Sequence, residues 1–382
     1  MMQFDLPASV HEYRATVRRI IADTVTDDLL MEQHRSGTFA SRELGRALAA
    51  EGLIERAVPG LGEGDPIELW VLFNELEKVG APYDALAMAV LVAGVVQHVG
   101  TDAQKAAMIP TITSGEAFCS LGYSEPDFGS DVASITTRAV RDDATGEWVI
   151  DGAKMWTTMA HEASWVILLT RTDTEVPKHR GLTMFLLPMD TPGITVQPVH
   201  TMGTERTNAT FYDSVRVGDE WRLGEVNGGW NVMTVALAFE RGVMGGSNAG
   251  VPLLRHAVEW ARESGRLSCE QLREQIARVA IDNHVAGLLT RRAAWIAASG
   301  GLPGLEGSMA KVFATDAYQK ASRWFQEAAG AEGLLQFDDP DAAAAGWIDY
   351  DARHSPVTTI YGGTSEINRN NIALRHLRLP RS

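Results

Sequence analysis

Two cysteines in 382 residues, Cys119 and Cys269, are too few and too far apart for a disulfide framework or a thiolate metal site. The economical setting for such a chain is the reduced cytoplasm. Basic residues are short as well: 34 Lys and Arg against 49 Asp and Glu leave a formal net charge of −15. Nucleic acid and anionic membrane both select a basic surface, so neither is expected as a partner. No run approaches the ~20 apolar residues that span a bilayer. The opening MMQFDLPASVHEYRATVRR has no apolar h-region and carries an early acid, so no signal or transit peptide is expected. Also missing are G-x-G-x-x-G, a P-loop, a G-x-S-x-G elbow and any His/Cys pair at metal spacing, which leaves the chemistries of those motifs without support. There is no internal repeat and no low-complexity tract.

What remains is 45% hydrophobic and 22% charged, the balance of a folded globular protein, in a chain long enough for two or three packed units. The periodicity changes twice. Over 1–118 it is helical: SVHEYRATVRRIIADTV sets Val10, Tyr13, Val17, Ile20 and Ile21 on one face, and ASRELGRALAAEGL and PIELWVLFNELEKVG follow, with Gly52 and Gly80 as stops. ALAMAVLVAGVVQHVG is apolar almost all round and predicts a buried helix. Over 119–222 short runs such as EWVIDGAKMWTT, SWVILLTRT, GLTMFLLPM, ITVQPVH and ATFYDSVRV predict strands separated by turns at 142–146 and 191–193. Over 223–382 helix returns in three long stretches, with SGGLPGLEGS as a loop between the last two.

Two motifs stand at the first change of period. YSEPDFGSD (123–131) offers Ser124, Ser130 and the backbone at Gly129 as donors for a phosphate or a polar ring edge, although taken alone it reads as an inter-domain turn. KMWTT (154–158) predicts Trp156 and Thr158 on one face of a strand, an aromatic platform beside a hydroxyl; a lone Trp is more often core. Near the C-terminus, TIYGGTSEINRN combines a glycine turn with a polar helix start.

In their order and spacing, GYSEPDFGSDVASITTRAV, EWVIDGAKMWTTMAHEASWVILLTRT and GGTSEINRNNIALRHLRLPR, with GEVNGGWNVM and LAFERGVM, resemble the acyl-CoA dehydrogenase family over nearly the whole chain. The resemblance implies an α+β fold: an N-terminal helical domain, a central β-barrel-like or β-sandwich domain and a C-terminal four-helix bundle. It implies an FAD enzyme that oxidises an acyl-CoA thioester to its 2,3-enoyl form and passes electrons to an electron-transfer flavoprotein. Mapped by motif, Tyr123 and Ser124 would lie against the flavin, Gly129 and Ser130 by the pyrophosphate, Trp156 and Thr158 toward the N5 side, and Thr364 and Glu366 along the ribityl–pyrophosphate–adenine part. Arg241, Tyr361 and Gly362 would border the substrate.

The family needs a carboxylate to take the α-proton, and many members place it directly before GTS, where this chain has Gly362. Members resembling isovaleryl-CoA dehydrogenase carry it instead on the first helix of the C-terminal bundle, before an arginine. Here LAFERGVMGG puts Glu240 before Arg241, interrupting an apolar run where an unused charge is costly. Glu240 is therefore the expected base; its bland reading is a helix-surface carboxylate. The chain departs from the family at R–x–x–F–G, where Ser264 and Leu267 stand for Arg and Phe, and at Q–x–x–G–G–x–G, which reads EAAGAEG, with Glu327 for Gln and Ala331 for Gly. Those stretches reach a neighbour's FAD in symmetric tetramers. Their loss is expected in one half of an α2β2 heterotetramer of the kind that degrades steroid side chains, or in a homotetramer that uses Arg262 or Arg266 instead. Left open are a flavin oxygenase or a carrier-protein-thioester desaturase on the same fold, and a non-catalytic partner subunit. The glycines 242, 245 and 246 would leave room for a bulky acyl group or serve close helix packing.

Overall fold

Helices open the chain because their apolar residues repeat at three and four: α1 (Ala8–Thr24) buries the five residues named above. There follow α2 (Asp27–Ser36), α3 (Arg42–Ala50), α4 (Leu53–Ala57), α5 (Pro66–Val79), α6 (Asp84–Val99) and α7 (Asp102–Thr113). The computed structural model describes residues 5–62, 64–243, 249–301 and 303–380, without the side chains of residues 238 and 240–243. Pro66 starts α5 beside the Asp65 cap, and Gly80 ends it at φ 71°. Gly52, at φ 68°, turns the chain between α3 and α4. Residues 85–96 of α6 are buried all round, so this helix is the axle of the first domain.

The strands are β1 (Cys119–Gly122), β2 (Arg138–Arg141), β3 (Trp148–Lys154), β4 (Trp165–Arg171), β5 (Leu182–Pro188), β6 (Ile194–His200), β7 (Arg206–Val217) and β8 (Arg222–Leu223). They form one mixed sheet in the order β6-β7-β3-β2-β4-β5-β8, with β1 also paired parallel to β4. Two strands separate β3 from β5, about 14 Å in a flat sheet. Yet the Trp148 and Phe185 ring centroids are 5.6 Å apart. The sheet therefore curls on itself around Trp148, Ile150, Val166, Leu168, Phe185, Tyr212 and Val215, the barrel-like form expected. The opposite faces of β4 and β5, through Ile167, Leu169, Met184 and Leu186, join the core of the N-terminal helices. Covered on both sides, these strands read as continuous apolar runs.

Helices α8 (Gly229–Val243), α9 (Gly250–Glu263), α10 (Glu270–Ala298), α11 (Gly304–Ala329), α12 (Trp347–Thr358) and α13 (Ser365–Asn371) complete the chain. Through Val232, Met233 and Ala236, α8 joins the main core, while α9 to α12 share a second core around Trp260, Tyr318, Phe325 and Ile348. The loop expected over 299–308 is shorter, because α11 already begins at Gly304, directly after Pro303. No helix among the described residues is long and apolar enough to cross a membrane.

Candidate active site

The turn after β1 and the end of β3 are built as one piece. The buried residues of β3 are Trp148, Ile150 and Lys154, with the exposed Gly152 between the last two, so Lys154 ends the strand on the side of Trp148 and Ile150 and is fully buried. Its Nζ donates to the Tyr123 carbonyl at 3.1 Å and to the Glu125 carboxylate at 3.0 Å. Glu125 also accepts from the Thr136 amide (2.7 Å), the Thr136 hydroxyl (2.8 Å) and the Thr137 amide (2.8 Å). Burial pushes the Glu125 carboxyl up, but Lys154 and these donors outweigh it and hold the group at about 2. Burial pulls Lys154 down to about 8 against the upward pull of Glu125, so both stay charged at neutral pH.

Beyond Lys154 the strand stops. Met155 N–H donates to the Ser124 carbonyl at 2.9 Å, and Trp156 takes a left-handed φ of 62°. The expectation that Trp156 and Thr158 share a strand face is thus corrected: a positive φ breaks the pleat, and Trp156 turns outward with 56% of its surface exposed. A bulky residue in this conformation costs about 1–2 kcal/mol, so its neighbours must hold it. Thr157 N–H donates to the Asn208 carbonyl at 2.9 Å and the buried Asn208 amide donates back to the Thr157 carbonyl at 3.1 Å. Asn208 Nδ2 also lies 3.1 Å from His161 Nδ1, whose Nε2 is 2.9 Å from Thr38 Oγ1. Because Nδ2 can only donate, His161 is neutral with its proton on Nε2, in keeping with burial lowering its basicity. Thr158 meets Thr207 hydroxyl to hydroxyl at 3.3 Å. Tyr123, Ser124, Trp156 and Thr158 therefore come together; Gly129 and Ser130 lie exposed on the lip of the same turn, with open space where a Cβ on Gly129 would stand.

Tyr361, Gly362, Thr364 and Glu366 lie on a second segment, bonded to the helical bundle. Gly362 and Gly363 have φ of 63° and 81°, so a glutamate at 362 would need a left-handed backbone. Buried Lys311 of α11 donates to the Tyr361 carbonyl and, at 3.3 Å, to that of Gly363. Thr364 caps α13 by accepting from Ile367 N–H, and Asn368 ties back to Gly363 and Thr364. Between α11 and α13 lies a cleft of about 390 Å³ where Lys320, Arg323 and Arg369 face Asp316, Glu327 and Glu366. Ser365, buried in its wall, has a hydroxyl with no hydrogen-bond partner among the described residues.

At the departures, Ser264 ends α9 with its hydroxyl on the Trp260 carbonyl, and Leu267 packs on the second core. Arg266 is already engaged: it bonds the Ala328 carbonyl and Glu332 and lies over Trp260. Arg262 remains on the exposed side of α9. Glu240 and Arg241 belong to α8, but their side chains lie outside the described residues, as do residues 245 and 246 altogether.

The acyl-CoA dehydrogenase N-terminal, middle and C-terminal domain families match residues 8–116, 120–215 and 227–377. Over 391 residues the chain is 30% identical to acyl-CoA dehydrogenase FadE29 of Mycobacterium tuberculosis (strain ATCC 25618 / H37Rv), covering 100% of this chain and 99% of that one. The chain belongs to the acyl-CoA dehydrogenase family. Two solved structures extend the likeness to three dimensions. The Tcur3481-Tcur3483 steroid ACAD superposes with a TM-score of 0.89 at 32% identity over 100% of both chains. The ChsE4-ChsE5 complex from Mycobacterium tuberculosis gives 0.87 at 31%, also over 100% of both. As an acyl-CoA dehydrogenase family member the chain is an oxidoreductase, and the family implies FAD. The residues fit that cofactor unevenly. The outward Trp156 and the open lip at Gly129 suit a planar ring and its phosphate tail, and the orphaned Ser365 hydroxyl suits a polar ligand, whereas the cleft's balanced charge offers little net attraction to a pyrophosphate.

Sequence reasoning passed over Glu125, Lys154, Asn208 and Lys311. The parity of β3 already placed Lys154 inside. Lys311 was marked only by interrupting the short apolar run MAKVFA. Glu125 and Asn208 carried no signal apart from their partners.

Proposed function

We propose that this chain is an FAD-dependent acyl-CoA dehydrogenase acting on a bulky acyl group, and that it forms one half of a heteromeric assembly with a homologous chain. The observation that carries the reading is the exposed Trp156, held in a left-handed conformation between two hydrogen-bonded clamps, in a chain whose full length matches a steroid ACAD. Tyr123, Ser124, Trp156 and Thr158 would hold the flavin ring; Ser130, Thr364 and Glu366 would reach the rest of FAD. When bound, FAD supplies an acceptor for the substrate's β-hydride. Glu240 would remove the α-proton, a role Gly362 cannot perform, while the Gly362 N–H polarises the thioester carbonyl and Arg241 and Tyr361 border the substrate. Electrons would leave to an electron-transfer flavoprotein.

Support for the heteromeric form comes from the engagement of Arg266 within its own chain and from Glu327 in a cleft without surplus positive charge. The decisive test is anaerobic titration of the protein, alone and with a co-expressed homologous chain, by short-chain, branched and steroid-side-chain acyl-CoAs. Bleaching of the oxidised flavin by the bulky thioesters, one FAD per heterodimer, is expected. A stable homotetramer with one FAD per chain and full activity would reject the half-site assignment, and rapid oxygen-dependent turnover would favour an oxygenase.

A further inference from the structure

Lys154 and Trp156 are two residues apart, and a regular strand would send both side chains the same way. Instead the ammonium is completely buried and the indole is more than half exposed. The reversal is prepared upstream, where a bulge between Ile150 and Gly152 shifts the β3–β7 register. Gly152 lies so close to Thr137 that a Cβ would stand 2.6–2.8 Å from its atoms, and Thr137 Oγ1 donates to the Ala153 carbonyl at 3.2 Å. Into that crowded corner the chain inserts an ion pair with no role in proton removal. A well-packed apolar pair would serve stability about as well, so the geometry is the informative part. One carboxylate gathers donors from β3, through Lys154, and from the entry to β2, through the Thr136 and Thr137 amides, while the same ammonium fixes the Tyr123 carbonyl. The next residue on each side, Ser124 and Met155, is then joined by the bond that precedes Trp156.

We propose that Glu125 and Lys154 are positioning residues: the buried pair sets the turn at 123–128 against the end of β3 and thereby fixes Trp156 in its outward, flavin-facing conformation. The inference rests on the flavin reading above for the identity of the ligand, but its structural half is independent of it. Neither residue touches the substrate, and their effect is carried by the Tyr123 carbonyl and the Ser124–Met155 bond.

The test compares Lys154→Met with the charge-neutral double variant Glu125→Gln/Lys154→Met, using the full chain with its partner where one is required. Lys154→Met alone leaves a buried carboxylate without its cation and is expected to lower the melting temperature; the double variant removes that imbalance. If the pair positions the cradle, the double variant regains most of the melting temperature, yet amides in 123–128 and 155–158 exchange at least tenfold faster than wild type, β6 and β4 amides stay protected, and FAD binds at least tenfold more weakly. A double variant with wild-type exchange in both peptides and wild-type FAD affinity overturns the proposal, as does uniform loosening of the whole sheet. A wild-type protein that takes up no FAD, with or without a partner, fails the cofactor reading instead, and the exchange comparison then decides the structural half by itself.

Discussion

The two segments assigned to one cofactor are made differently. The segment on the sheet side, 123–131 with 154–158, is anchored by a fully buried ion pair and by the buried Asn208 amide, and its bonds close within this chain. The segment on the bundle side, 359–371, rests on two left-handed glycines, the Lys311 ammonium and a helix of only seven residues, beside a cleft whose charges cancel. The first is held by a buried charge pair. The second faces a cleft with no surplus of positive charge, the condition expected of an anion site that another chain completes. A flavin bound by this protein should therefore depend steeply on the first segment and weakly on the second.

The largest effect belongs to neither segment. Glu240→Gln should leave the fold and both segments intact while slowing flavin bleaching by an acyl-CoA by ~10²-fold or more, the usual loss on deleting a positioned base. Rapid single-turnover measurement checks it; near-normal bleaching would move the base to the partner chain. On the sheet side, Trp156→Ala and Ser130→Asp should each weaken FAD binding roughly tenfold, by lost aromatic contact and by charge repulsion of phosphate. Fluorescence titration reads both, and two fully yellow variants would refute the placement of the flavin. On the bundle side, Glu327→Gln should strengthen retention only a few-fold, since it removes one partly screened charge.

The contrast also separates what the sequence told from what it withheld. The three-part order was legible because period changes mark domains: the 3–4 spacing from Val10 to Ile21, the apolar runs of β4 and β5, and the return of long helices. Tyr123, Ser124, Trp156 and Thr158 were legible as a set through motif order. The direction of Trp156 was not, because a positive φ is set by distant partners, Asn208 and Ser124, that no local pattern announces. Nor was the Glu125–Lys154 pair: the alternation of β3 turns Lys154 inward, but nothing in the local pattern names Glu125 as its partner. The commitment of Arg266 to Glu332 needed the fold of the 328–332 turn.

A last prediction asks whether the two segments are mechanically joined. Glu205, next to β7, meets His354 of α12, the helix that leads into 359–364, and Tyr350 donates to the same carboxylate at 3.5 Å. Burial opposes the charge on His354, but Glu205, with Asp351 and Asp84 nearby, outweighs it and raises its pKa above the usual value. A group with a raised folded-state pKa contributes stability that is complete below the unfolded value of about 6.5 and is lost as pH rises through the folded value. Two neighbouring histidines act in the opposite sense: burial first, then nearby positive groups, hold His34 and His256 at about 3, so their contribution is lost as pH falls below 6.5. Asp351, raised to about 7 by burial, also changes over this range, which makes the raw melting curve a poor witness. Asp84, raised to about 7 by burial and then by Glu205, titrates here too, so the difference between wild type and Glu205→Gln reads the cluster that Glu205 forms with His354 and Asp84 as one unit. We expect a wild-type advantage of roughly 1–3 °C near pH 6 that shrinks steadily toward pH 9. If that cluster also couples the segments, flavin retention in the wild type should fall over the same window and be flat in Glu205→Gln. A melting-temperature difference that does not change with pH would show that His354 is not charged in the folded protein and that the two segments are held together by packing alone.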